Sequence, residues 1–179
     1  MPARQPSTAS RYYAGIGSRQ TPQSSRGLIH DIAQALERMD YTLRSGGAPG
    51  ADTFFEEAVS RSQIFLPWRG FNDRPDSGFI SPSQDAIALA SEAISGFSDR
   101  PQPVRMLLAR NMHQVLGPDL DSPVDFVVCW TPQGRIVGGT AHAIRLAHSR
   151  DIPVYNLAVP KKRDALLERT GLAKQLDLF

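Results

Sequence analysis

The chain has 179 residues, of which 41% are apolar and 21% charged, with a single cysteine. These are globular values at the length of one domain, which excludes global disorder and a disulfide-stapled scaffold. No apolar run approaches the roughly 20 residues of a membrane span, and the polar start of the chain has no apolar signal-peptide core. Net charge is +2, from 20 basic against 18 acidic residues, too even to announce a nucleic-acid binder by charge alone. Cytoplasmic residence is expected, because Cys129 has no intrachain partner.

Residues 1–11 read as a disordered lead-in rich in Pro, Ser and Gln, and 12–179 as one domain. A first strand covers Tyr13 to Ile16 and stops at Gly17. A helix follows from about Pro22 to Met39, with Thr21 as its N-cap and Leu28, Ile29, Ile32, Ala35 and Leu36 on one face. Thr42 to Arg44 form the second strand, which leads into Ser45-Gly46-Gly47-Ala48-Pro49-Gly50-Ala51-Asp52 and a helical stretch holding Phe54, Phe55, Ala58 and Val59. Ile64 to Leu66 form the third strand. Trp68 to Pro82 reads as a loop, a lid or an edge cover. Helices are expected at Ser83 to Ser95 and Val104 to Leu116. Phe126 to Trp130 is the clearest buried strand. A Gly-rich loop, Thr131 to Gly139, precedes a helix at Thr140 to Ser149, a last strand at Val154 to Asn156 and a closing helix at Lys161 to Leu176. Strands that are apolar runs, alternating with helices, predict an α/β fold: a mainly parallel sheet with helices on both faces, Rossmann-like.

Ligands in open α/β sheets sit beyond the carboxyl ends of the strands. Three Gly-bearing loops leave strands at that edge: Gly15 to Arg19, Ser45 to Asp52, and Gly134 to Thr140. Each glycine alone reads as a tight turn, and none of the loops is a nucleotide fingerprint by itself. Together, with two leading into helix N-termini, they favour a phosphate-bearing ligand. Asp52 has two readings of equal weight, a first-turn carboxylate stabilising its helix or a contact to ligand hydroxyls or amines. On the helix at Val104 to Leu116, Asn111 falls within the apolar stripe and needs a hydrogen-bond partner from backbone or ligand. Arg110 flanks that stripe, as a surface arginine or a phosphate contact. His113 falls opposite it and reads as solvated. His142 also reads as solvated, Cys129 as a core residue. No metal-ligand cluster, cofactor motif or acid dyad stands out, so no cofactor is expected.

The order of Ala14-Gly15-Ile16-Gly17-Ser18-Arg19, Arg44 to Asp52, Arg110-Asn111 and Gly138-Gly139-Thr140-Ala141-His142-Ala143 resembles the SLOG superfamily of Rossmann-like nucleotide-binding domains. Within it, the chain is similar from about Tyr12 to Leu157 to the core of DNA-processing protein A (DprA/Smf) and to stand-alone phage and bacterial relatives. The resemblance implies binding of a nucleotide or nucleotide-derived small molecule at these loops. It also implies single-stranded DNA as a second partner class; a homo-oligomer is left open. The Lonely Guy phosphoribohydrolases, a further branch, cleave nucleotides at the N-glycosidic bond. Their Gly-rich turn continues with Thr and, three residues on, Glu. Here Ala143 stands three residues after Thr140, which ranks a hydrolase below a binder.

One cleft is therefore expected to gather Gly15, Gly17, Ser18, Arg19, Ser45, Gly46, Gly47, Gly50, Asp52, Gly138, Gly139 and Thr140, bordered by Arg110 and Asn111. Arg19, following a Gly-x-Gly turn, is expected to hold a phosphate, supported by N–H groups at Gly50-Ala51 and Gly139-Thr140.

Overall fold

Alternation within the strands decides which residues form which face of the sheet. In the computed structural model, which describes residues 10–74, 79–80 and 82–173, the first strand is β1 (Arg11–Gly17). Tyr13 packs on one side of the sheet, Ala14 and Ile16 on the other. β5 (Phe126–Trp130) repeats the pattern: Phe126 and Val128 join Tyr13, whereas Val127 and Cys129 join Ala14. This two-residue period gives both faces an apolar surface, so both must be covered.

The remaining strands are β2 (Tyr41–Ser45), β3 (Ser62–Leu66), β4 (Phe79–Ile80) and β6 (Val154–Asn156). They form one sheet in the order β4-β3-β2-β1-β5-β6, and every pairing is parallel. Helices α1 (Arg26–Arg38) and α2 (Ala51–Glu57), with α6 (Pro160–Thr170), cover the Tyr13 face. α3 (Gln84–Ala93), α4 (Gln102–Leu116) and α5 (Thr140–Ser149) cover the other. The expected α/β fold is therefore what the chain adopts, with all five expected strands in place.

Several local features depart from the sequence reading. Arg11 already belongs to β1, pairing with Tyr41, so the strand begins inside the expected lead-in. Residues 1–9 of that lead-in, and the end of the expected closing helix from 174 onward, lie outside the described residues. Thr21 does not cap α1. Its hydroxyl donates to the Ser18 carbonyl at 2.6 Å, and a 3-10 turn at Gln23–Ser25 comes first. The Trp68–Pro82 stretch is more than loop, because Phe79–Ile80 adds a parallel edge strand to β3. A two-residue strand carries no periodicity, so nothing in the sequence could mark it.

His113 is the clearest correction. It is buried, stacked on Phe65 with ring centroids 5.6 Å apart. Its Nδ1 lies 2.9 Å from the Gly117 carbonyl, and its Nε2 accepts from the Ser83 backbone N–H at 3.1 Å. Those partners assign the neutral tautomer protonated at Nδ1. The expectation of a solvated ring assumed that α4 has a free face. In fact every residue from Leu108 to Leu116 is buried, because α3 and β3 take up the side that a surface helix would expose.

Candidate functional site

Strand order creates the site. β1 runs centrally, with the chain continuing on one side to β2 and, much later, on the other to β5. The connections therefore diverge between β1 and β5, which opens a crevice beyond their carboxyl ends. A cleft of about 520 Å³ occupies that crevice, within the range of small-ligand sites.

Of the expected site residues, Gly17, Ser18, Arg19, Asp52, Arg110, Asn111, Gly138, Gly139 and Thr140 line this cleft. The first and third loops thus meet at one place. Gly15, Ser45, Gly46, Gly47 and Gly50 do not form its wall; they hold the wall in position. Ser45 is fully buried and donates to the Gly15 carbonyl at 2.7 Å, tying β2 to β1. Gly50 has φ +87°, and a Cβ there would collide with the Ser18 carbonyl. A side chain at Gly46 would overlap the guanidinium of Arg110 and the amide of Gln114. Of the Gly50-Ala51 N–H groups expected to reach a phosphate, that of Ala51 is already engaged. The Ala51 N–H donates to the Ser18 carbonyl at 3.4 Å, linking the second loop to the first.

Asp52 has a task that neither reading named. One carboxylate oxygen accepts from the Gly17 N–H and the other from the Gly46 N–H, both at 3.1 Å. It clamps the first loop to the second at the floor of the cleft and is only 3% exposed. Burial raises its pKa, while Arg110 and the backbone N–H groups pull in the opposite direction. It also stands in the first turn of α2, as the first reading had it.

Arg110 is likewise an interior residue. Its Nη1 donates to the Gly46 and Phe65 carbonyls, the latter at 3.2 Å. Its Nε is buried without an acceptor. Asn111 does what its place in the stripe requires: Nδ2 donates to the Gly139 carbonyl at 3.1 Å, so α4 holds the third loop.

The third loop presents free backbone donors. Gly138 and Gly139 are exposed, and the N–H groups of Gly139 and Thr140, at the start of α5, have no protein acceptor. The positive end of a ten-residue helix thus faces the cleft. Arg19 lies at the rim, exposed and without an ion pair. Ala143 also lines the cleft, at the place where a carboxylate would stand in the Thr-x-x-Glu pattern. Gln114, Leu107, Leu108 and Val137 line it as well and were not anticipated. Gln114 could have been found: it lies one turn beyond Arg110 on the same helix face.

Beside the cleft, Glu56 on α2 pairs with Arg74, and its Oε1 is buried without a partner. Burial pushes its carboxyl up to about 7, against the opposing pull of Arg74. The folded state therefore holds this proton more tightly than the unfolded chain, whose value lies near 4.5. Stability from this group is fully present below about 4.5 and is lost as pH rises towards about 7. Urea midpoints of the wild type should fall more between these limits than those of Glu56→Gln, which has no proton to lose. Parallel pH profiles for the two proteins would contradict this assignment.

Cys129 is fully buried, with its thiol pushed up to about 12 by burial, so it is a core residue as expected. His142 is half-buried, and its pKa is lowered by burial and by the nearby Arg145 and Arg100. Among the described residues no His, Cys, Asp or Glu cluster could hold a metal, and no helix is long and apolar enough to cross a membrane.

No family model matches the chain, and comparison with curated proteins gives no match. Comparison with solved structures finds DNA processing protein A from Helicobacter pylori, described for its single-stranded DNA binding mode. The two superpose with a TM-score of 0.54 at 19% identity, over 92% of this chain and 74% of that one. The fold is DprA-like. At this identity the likeness is one of architecture: the DprA-like sheet accounts for where the crevice lies, and the side chains within it are this chain's own.

Proposed function

We propose that the cleft binds a nucleotide or nucleotide-derived ligand through its phosphate. The observation that carries this reading is the pair of unpartnered N–H groups at Gly139 and Thr140, aimed with the positive end of α5 at a crevice rimmed by the unpaired Arg19. Backbone donors, helix dipole and guanidinium all favour an anion, and phosphate geometry suits the arginine fork. The apolar walls at Ile16, Leu107 and Leu108 leave room for a base or sugar alongside it.

Binding is favoured over hydrolysis by the carboxylates. Asp52 is the acid in the cleft lining, and both of its oxygens already accept backbone N–H bonds. Ala143 supplies no acid where the phosphoribohydrolase pattern has one. Calorimetry with a panel of nucleoside monophosphates, followed by chromatography for released base, tests both points. Saturable binding with no free base is expected; released base would make the protein a hydrolase.

Gly139→Val provides a focused check. Gly139 has ordinary helical angles, φ −63° and ψ −39°, and a Cβ there meets nothing. The fold should tolerate the change, whereas the branched side chain would stand between the free N–H groups and a phosphate. Nucleotide affinity should drop by about tenfold or more at an unchanged melting temperature. Full affinity in this variant would remove the third loop from the phosphate site.

A second reading, single-stranded DNA binding, is favoured by one observation: the structurally similar Helicobacter pylori protein is described for that activity. Fluorescence anisotropy with a labelled oligonucleotide over a salt series tests it, because phosphate contacts weaken as salt rises.

A further inference from the structure

Gln114 is 2% exposed and lines the cleft, and its side-chain amide opens on the cleft with no hydrogen-bond partner among the described residues. A carboxamide offers two donors and two acceptor sites, and here they are left for water or a ligand in the cleft. One turn away on the same helix, the Arg110 Nε is buried and has no partner among the described residues. Both side chains lie over Gly46, the one residue type whose lack of a Cβ leaves them space. The fold thus makes room for two polar groups at the cleft floor and then leaves part of their hydrogen-bonding capacity unused. The Arg110 Nη1 is taken up by the Gly46 and Phe65 carbonyls, whereas Ile16, Ala48, Leu107 and Leu108 around the floor are apolar and offer the Gln114 amide and the Arg110 Nε nothing.

We propose that Gln114 reads the edge of a nucleobase bound in this cleft, with Arg110 as an adjoining donor. The inference rests on the nucleotide reading given above and adds the group that sets base preference. A carboxamide presents a donor beside an acceptor, which pairs in bidentate fashion with a base edge carrying the complementary pair. The phosphate end at Arg19 and Gly139-Thr140 carries no information about the base. Discrimination therefore falls to the floor, where a bound base lacking the matching pair would shut water away from the amide without replacing its hydrogen bonds.

The experiment compares wild type, Gln114→Met and Gln114→Glu, each titrated calorimetrically with AMP, GMP, CMP, UMP and ribose 5-phosphate, alongside thermal melts. Wild type should prefer one base by about tenfold or more, and Gln114→Met should bind all four with nearly equal, weaker affinity. Ribose 5-phosphate should bind the two proteins alike. Gln114→Glu, which keeps an acceptor and loses the amide donors, should change the order of preference. Because the amide has no protein partner, Gln114→Met should melt at or above the wild-type temperature. An unchanged base preference in Gln114→Met, or a large fall in its melting temperature, overturns the proposal while leaving nucleotide binding intact. Failure of wild type to bind any of the five overturns the nucleotide reading, and this inference with it.

Discussion

Asp52→Ala should destabilise the protein by about 3–5 kcal/mol, the largest loss expected from any substitution in the cleft. Two backbone donors, the N–H groups of Gly17 and Gly46, would lose their acceptor in a site that water barely reaches. Each orphaned donor costs about 1–3 kcal/mol. The loss extends to Arg110, a buried guanidinium whose charge Asp52 stabilises. Asp52→Asn should be milder, since it keeps one carbonyl acceptor but turns an amide towards the other N–H. Denaturant unfolding measures both. A loss below about 1 kcal/mol in Asp52→Ala would mean that the two loops are held together by other contacts, such as Ser45 to Gly15 and Ala51 to Ser18.

Arg19→Ala should have the opposite profile. The side chain is exposed and pairs with none of the described residues, so its removal should leave unfolding within about 0.5 kcal/mol of wild type. Nucleotide affinity should fall by about 2–4 kcal/mol, because a charge-assisted fork on phosphate has no neutral replacement. Arg19→Lys should recover part of the affinity, restoring the charge but not the bidentate geometry. Equal calorimetric affinities for wild type and Arg19→Ala would remove Arg19 from the site and leave the start of α5 as the phosphate contact. The two variants therefore separate the two tasks proposed for the cleft, holding its walls together and meeting a phosphate.

These two residues also show how far the sequence could be read. Five of the strand positions were legible as short runs bounded by Gly, Pro or polar residues, and Phe126 to Trp130 matched its strand end to end, whereas the two residues of β4 were not. The first and third loops could be assigned to one cleft because a parallel sheet places all such loops at a single edge. Whether a glycine faces ligand or protein was not legible. Gly139 lines the cleft with open space where a Cβ would stand, whereas Gly17, Gly46 and Gly50 are small because the Trp130 carbonyl and Ala51, Arg110, and the Ser18 carbonyl press against them. Local sequence cannot tell these cases apart, since the neighbour that demands a missing Cβ comes from far along the chain. His113 was misread for a related reason: helical periodicity reports one covered face, and α4 is covered on more than one. Gln114 was passed over because a polar residue on a helix ordinarily points to solvent.

The central claim, that the crevice between β1 and β5 holds the phosphate of a nucleotide, is tested most directly by a ¹H–¹⁵N NMR titration with a nucleoside monophosphate. The account predicts saturable shifts of the backbone amides of Gly139 and Thr140, accompanied by those of Ser18 and Arg19, with the Gly17 and Gly46 amides held by Asp52 moving less. Binding that shifts amides elsewhere and leaves Gly139 and Thr140 in place would contradict it.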